Sequence, residues 1–153
     1  IAQASLKMIG NIIFPQNNGF EVSILASNDK EIMILNNKFR GHNTPTNILS
    51  WPEHEYRRTK PGGFPERVSK LSQASKGSDF LGNLAISFER CSIEANGVSI
   101  NFEDYIAHLF IHGCLHLLGF DHENDLDAIL MEDFEKRLLL RLGINNPYEL
   151  CER

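Results

Sequence analysis

Three histidines that lie close together in the sequence form a pattern that is typical of a metal site. His112 and His116 are four residues apart, so on an α-helix they project from the same face. Gly119 follows, and glycine is the residue best able to end a helix in a left-handed conformation. The chain can then turn and bring His122 toward the other two rings. Three imidazoles around one point are what a catalytic zinc site needs, with the fourth position left for water or substrate.

The spacing matches the metalloprotease motif H-E-x-x-H-x-x-G-x-x-H at every position but the second. In the proteases the glutamate at that position is the general base, and here the residue is Gly113. The sequence therefore has the three metal ligands of the protease motif but lacks its general base. Because Gly113 has no side chain, we expect it to leave room for a bulky substrate beside the metal. The structural alternative is a buried helix whose histidines only form hydrogen bonds.

Three further residues of this stretch carry reactive side chains. His108 lies one helical turn before His112, and a fourth protein ligand would close the site, so we expect His108 to support the ligands or to lie in the core. Cys114 lies on another face of the same helix and is predicted to be a small core residue. Asp121 is adjacent to His122, where it could orient a ligand or help to move protons.

Length and composition are those of one ordinary globular domain. The chain has 153 residues, of which 42% are hydrophobic, and no apolar run is long enough for a membrane span. No secretory leader is visible, and the start without methionine suggests a chain that begins inside a longer gene product.

The three cysteines, Cys91, Cys114 and Cys151, are odd in number and far apart. They argue against a disulfide framework and for a reducing compartment, the cytoplasm.

One segment of this acidic chain is strongly basic. The net charge is −5, yet residues 57–76 contain six basic residues and a single acid. A local basic patch is the usual footprint of a phosphate backbone, and a solvated, mobile loop is the alternative. The candidate nucleic-acid-binding residues in this segment are Arg57, Arg58, Lys60, Arg67 and Lys70.

Hydrophobic periodicity predicts the elements that must position these residues. The predicted helices cover residues 3–16, 28–39, 102–118 and 124–143, and the predicted strands cover residues 20–25, 46–51 and 81–87. The helix over 102–118 is apolar on nearly every side, so it is predicted to be buried, with the metal site on it and on the turn after it. Residues 53–80 are predicted to be a long loop, and residues 92–97 a polar connection.

Several of these stretches together resemble the YbeY-type endoribonucleases, the ribosomal RNA maturation factors of bacteria and organelles. The resemblance extends from about Val22 to Gly143 and is carried by the segments NNKFR, TPTNILSWP, LGNLAIS, HLFIHG and GFDH. It implies one domain over residues 1–153 of the α/β (α+β) class, a small mixed sheet flanked by helices. The chain differs from the family in its long basic loop, in Trp51 and Phe120 where phenylalanine and tyrosine are usual, and in a strand expected to be missing before the first helix.

The resemblance also implies a function. His112, His116 and His122 would bind one Zn²⁺, and the activity would be zinc-dependent cleavage of single-stranded RNA. The biological role would be 3′-end maturation of small-subunit ribosomal RNA and ribosome quality control. The partners would be ribosomal RNA, the small ribosomal subunit and its assembly factors.

The functional arginine of the family falls on Arg40, which would line the same cleft. A guanidinium group is permanently charged and bidentate toward phosphate, as a phosphodiester reaction requires. The proton acceptor is left open between the zinc-bound hydroxide itself, Asp121 and the 2′-hydroxyl of the substrate. Two alternative functions are a zinc metalloprotease-like hydrolase and a non-catalytic ribosome assembly module with structural zinc.

Overall fold

A mixed sheet, of which the described residues form three strands, is the framework of the fold. The computed structural model describes residues 20–54, 60–73 and 79–145. In chain order the strands are β1 (Phe20–Ser27), β2 (Ile48–Pro52) and β3 (Asp79–Ser87). β3 lies in the middle, parallel to β1 and antiparallel to β2. The predicted small mixed sheet is therefore confirmed, and all three predicted strands form.

The helices in the described ranges include one buried helix, which carries the histidine motif. In chain order they are α1 (Asp29–Arg40), α2 (Glu66–Gln73), α3 (Phe88–Gly97), α4 (Phe102–Leu117) and α5 (Asp125–Arg141). α4 packs against β2 and β3 and has α3 and α5 as helical neighbours. Several of its apolar side chains, among them Phe110, Ile111 and Leu115, are at most 2% exposed. The prediction of a buried helix that carries the histidine motif is confirmed.

Helix α1 ends at Arg40, the residue that the resemblance assigns as the functional arginine. Its first turn is capped by the side chain of Asn28, which accepts a hydrogen bond from the backbone N–H of Glu31 over 2.9 Å. Gly41 ends the helix with a φ of 73°, and its N–H donates to the carbonyl of Asn37. Arg40 is therefore the last residue of a capped helix rather than part of an irregular loop.

Two segments predicted to be irregular are helical. The predicted 53–80 loop contains α2, which begins directly after Pro65 and buries Val68 in the main core. The predicted polar connection at 92–97 belongs to α3, which is capped by Ser87. α3 buries only two small residues, Cys91 and Ala95. Both helices are short, with 8 residues in α2 and 10 in α3, so each offers only two or three turns in which a helical pattern could be recognised.

Some predictions concern residues that lie outside the described ranges. These are the helix at 3–16, the strand expected to be missing before it, and the residues Arg57, Arg58 and Cys151. The other two cysteines are buried free thiols. Cys114 lies in the main core, as predicted, and so does Cys91. Within the described ranges, no helix combines the length and the apolar character that a membrane crossing requires.

Candidate metal centre

The turn after α4 brings the third histidine toward the first two. Gly119 adopts a φ of 91°, and its N–H donates to the carbonyl of His116 over 2.9 Å. The N–H of Phe120 donates to the carbonyl of Leu115 over 3.0 Å. These two bonds make the Schellman motif, in which a left-handed residue reverses the chain at a helix end. The reversal brings His122 back over the last turn of α4, as the sequence predicted.

The three imidazoles converge on one point. His112 Nε2 and His116 Nε2 are 3.0 Å apart, and the His122 ring lies 5.5 Å and 5.1 Å from those two rings between centroids. One nitrogen of each ring lies within 4.8 Å of the others. Tetrahedral zinc, with bonds of about 2.0–2.1 Å, places its ligand nitrogens about 3.3 Å apart. The three residues therefore fit a zinc ion after small side-chain adjustments.

Hydrogen bonds at the other ring nitrogen fix two of these histidines. His112 Nδ1–H donates to Glu135 Oε1 over 2.6 Å, and His116 Nδ1–H donates to the carbonyl of Phe120 over 3.0 Å. With the proton on Nδ1, each Nε2 offers its lone pair to the shared point. Glu135 was missed by the sequence reasoning, because it reads as one more acid on α5.

The buried position of His116 keeps its ring uncharged. Burial, and then electrostatic interaction with His112 and His122, lower the pKa of the His116 imidazole from 6.5 to about 4. A metal ligand must be neutral imidazole, so His116 is ready for binding at neutral pH without first losing a proton.

Acid is expected to destabilise the metal-free protein through His116. The folded-state pKa lies below the unfolded value, so the unfolded chain binds the proton more readily. The stabilisation is complete above pH 6.5 and is lost as the pH falls toward 4. By pH 5 the loss amounts to roughly 2 kcal/mol of unfolding free energy.

Denaturant unfolding of the chelated protein at pH 7 and pH 5 measures this loss. The variant His116→Ala is expected to lose less stability between the two values, by about the same 2 kcal/mol. An equal pH dependence in both proteins would contradict the assignment to His116.

The histidines form one wall of a cleft of about 720 Å³. This volume is in the range of ligand-binding pockets, roughly 300–1,000 Å³. Arg40 lines the same cleft from the end of α1, and Asp121 lines it beside the metal site. The carboxylate of Asp121 also accepts a hydrogen bond from the backbone N–H of His122 over 2.7 Å. Other polar lining residues are Thr46, Asn47, Ser50, His54 and Glu123.

Gly113 is needed for packing and does not open space for substrate. It is buried, and a Cβ there would lie 2.8 Å from Ile48 Cδ1, 2.8 Å from Leu84 Cδ2 and 3.1 Å from Ser50 Oγ. The space beside Gly113 is therefore filled by the sheet, and the expectation that it makes room for a bulky substrate is wrong. A glutamate at this position, as in the proteases, would collide with β2 and β3.

The substitution Gly113→Ala is expected to lower the free energy of unfolding by about 1–2 kcal/mol. Overpacking of a core costs roughly 1–3 kcal/mol, and alanine recovers up to about 1 kcal/mol through its higher helix propensity. The matched control is Gly97→Ala at the end of α3, where a Cβ meets nothing within 4 Å. The control should be neutral or stabilising in urea unfolding. Equal effects of the two substitutions would refute the packing role.

Residues 60–65 pack against the turn that carries His122. The N–H of Gly62 donates to the buried carboxylate of Asp127 over 2.7 Å. The Phe64 ring contacts Phe120 edge-on with centroids 6.2 Å apart, and a Cβ on Gly119 would lie 3.1 Å from Pro65 Cβ. This part of the predicted loop therefore supports the turn that carries His122.

The basic residues predicted to bind RNA differ in their environments. Lys60 is exposed, and Lys70 is exposed but pairs with Glu66 over 2.8 Å. Arg67 is only 3% exposed, and its guanidinium donates to the carbonyls of His54 and Phe80. The assignment of Arg67 to an RNA-binding surface is therefore wrong, because its side chain is buried and bridges two backbone segments.

His108 lies beside the ligands, with Nε2 3.5 Å from Glu135 Oε2.

Comparison with known proteins agrees with this geometry. The sequence model of the family described as Endoribonuclease YbeY matches residues 2–143. The chain is 48% identical to Endoribonuclease YbeY of Jannaschia sp. over 129 residues, which are 84% of this chain and 76% of that protein. It is 45% identical to Endoribonuclease YbeY of Dinoroseobacter shibae over 130 residues, 85% of this chain and 70% of that protein.

Similarity to a solved structure supports the fold. The solution structure of a Thermotoga maritima protein superposes with a TM-score of 0.55 at 19% identity, covering 92% of this chain and 83% of that one. At that identity the likeness supports the fold alone. The sequence matches are far stronger and extend across the histidine motif. The chain belongs to the Endoribonuclease YbeY family.

Proposed function

We propose that this chain is a zinc-dependent endoribonuclease that cleaves single-stranded RNA in the cytoplasm. Its role would be 3′-end maturation of small-subunit ribosomal RNA and ribosome quality control, with the small subunit and its assembly factors as partners. The observation that carries the proposal is that three convergent imidazoles and Arg40 line one open cleft. Family membership and the relatives named endoribonuclease support the choice of RNA as substrate.

The residues of the chain have distinct tasks in this proposal. His112, His116 and His122 would hold the zinc ion, which when bound activates water and polarises a phosphoryl oxygen. Arg40 would bind the scissile phosphate and offset the negative charge that develops on its oxygens. Asp121, at the cleft wall, is proposed to receive or relay the proton of the attacking group, and it also orients the backbone of His122.

The two alternative functions each meet an opposing observation. A protease needs a general base at the second motif position, and Gly113 faces the sheet there. A structural zinc site has four protein ligands, mostly cysteine, whereas this site offers three histidines beside an open cleft. The exposed Lys60 and Lys70 support an anionic polymer as substrate.

The direct test is an RNA cleavage assay with metal control. We expect the purified chain to cleave unstructured RNA, to lose cleavage after treatment with a strong chelator, and to regain it when zinc is restored. Casein is incubated in parallel, and we expect it to stay intact. Cleavage of casein but not RNA would favour the protease, and zinc binding with no cleavage of either would favour the assembly module.

A finer test addresses the ribosomal role. Cells that rely on an Arg40→Glu version of the chain should accumulate small-subunit RNA with unprocessed 3′ ends. Suppose that Arg40→Glu abolishes cleavage in vitro but the 3′ ends in such cells are normal. This result would contradict the role in maturation and would not contradict the proposed nuclease activity of the wild-type chain.

A further inference from the structure

A buried carboxylate lies directly behind the metal site. Glu135 on α5 is 0% exposed. Its Oε1 accepts a hydrogen bond from His112 Nδ1 over 2.6 Å, and its Oε2 faces His108 Nε2 at 3.5 Å. The carboxylate thus lies between two imidazoles of α4, one of which is a candidate ligand. Neither the family match nor the sequence motif assigns it a role.

The burial of this group needs electrostatic compensation. A carboxylate removed from water is costly unless positive charge and hydrogen bonds replace its hydration. The His112 imidazole supplies one such hydrogen bond. A cation bound to His112 Nε2 would polarise the ring, strengthen its Nδ1–H as a donor and bring positive charge close to Glu135. The carboxylate and the ion are therefore expected to stabilise each other through His112.

We propose that Glu135 is a positioning residue of the metal centre. It holds His112 in the tautomer and ring orientation that present Nε2 to the ion, and its buried charge makes the site favour a cation. This inference rests on the proposed metal site at His112, His116 and His122. It adds that metal affinity depends on a charge contributed by α5, a helix that carries none of the three ligands.

The helix itself provides a matched control. Glu132 lies one turn before Glu135 on α5, lines a cavity with His112 and His122, and has a side chain that is 40% exposed and paired with Lys136. The substitution Glu132→Gln removes the same charge from the same neighbourhood. Glu135→Gln removes the charge and keeps an acceptor for His112 Nδ1–H, whereas Glu135→Leu removes both.

The experiment measures zinc affinity by competition with a chromogenic chelator. Loss of a group that supports a metal ligand typically weakens binding about 10- to 100-fold. We expect about a tenfold loss for Glu135→Gln, about a 100-fold loss for Glu135→Leu, and a change of less than about twofold for Glu132→Gln. Wild-type affinity in both Glu135 variants, or an equal loss in Glu132→Gln, would overturn the proposal.

Two further readouts separate positioning from packing. The metal-free Glu135→Gln protein should melt no lower than the metal-free wild type, because the cost of burying a charge has been removed while the acceptor for His112 remains. Nitrogen NMR of the His112 ring should show the Nδ1–H tautomer in the wild type and its partial loss in Glu135→Leu. If Glu135→Gln lowers melting equally with and without zinc at unchanged zinc affinity, the carboxylate only packs the helices and the proposal is wrong. A wild-type chain that binds no zinc would instead refute the proposed metal site itself.

Discussion

Replacing His116 by alanine is expected to remove bound zinc and RNA cleavage together. His116 is held at both ring nitrogens, since its Nδ1–H donates to the carbonyl of Phe120 and its Nε2 lies 3.0 Å from that of His112. Loss of a ligand should weaken zinc binding by more than the roughly 100-fold seen for supporting groups. Cleavage of unstructured RNA should fall at least in proportion. Metal analysis after dialysis and an RNA cleavage assay measure the two effects.

The control for this substitution is His42→Ala. His42 is exposed and is not among the residues that line the cleft. We expect His42→Ala to keep wild-type zinc content and activity. The melting temperature of wild type should rise with added zinc, whereas that of His116→Ala should respond little, because binding to the folded state is the source of the shift. Full zinc occupancy in His116→Ala would refute the ligand assignment.

The substitution Arg40→Glu should abolish cleavage while leaving zinc bound. Arg40 lines the cleft but belongs to α1, which contributes no histidine of the cluster. Removal of one group that stabilises transition-state charge costs roughly 100- to 1,000-fold in rate, and reversal of its charge should cost at least that much. Zinc content and melting temperature should stay near the wild-type values. Cleavage at the wild-type rate would contradict the role of Arg40 in phosphate binding.

A matched charge reversal is available on the same helix. Lys38 is exposed, lies two residues before Arg40, and places its ammonium 5.4 Å from the centre of the Phe39 ring, outside the cleft. Lys38→Glu changes the net charge by the same amount and should reduce cleavage only slightly, through weaker attraction of RNA. Equal losses for the two variants would indicate a general electrostatic effect. Arg40→Lys should retain part of the activity because the charge remains and the bidentate geometry is lost.

The histidine cluster was predictable because its geometry is encoded locally. Helical spacing places His112 and His116 on one face, and Gly119 permits the reversal that brings in His122. The buried α4 followed from an apolar pattern on nearly every side. The mixed α/β fold and the family followed from several motifs that resemble one family.

What the sequence missed depends on contacts between distant segments. Glu135 reads as one acid among several on α5, and only the packing of α5 on α4 buries it against His112. The role of Gly113 depends on the approach of α4 to the sheet. Arg67 looked like a surface cation because charge patterns in a sequence carry no information on burial. Helix α3 was missed because its buried residues are few and small.

Because of the Schellman turn at Gly119, the three candidate ligands meet although they lie within one short segment, residues 112–122. Little chain entropy is lost when such near neighbours meet, so the ion-binding unit can form as soon as α4 and its turn exist. Arg40 lies far upstream in the sequence and reaches the cleft only when β2 has joined the sheet and α1 has docked. The three candidate ligands are thus brought together by local contacts, whereas Arg40 reaches the cleft only through long-range contacts. Mutations that detach α1 from the sheet should therefore reduce RNA cleavage more than zinc binding.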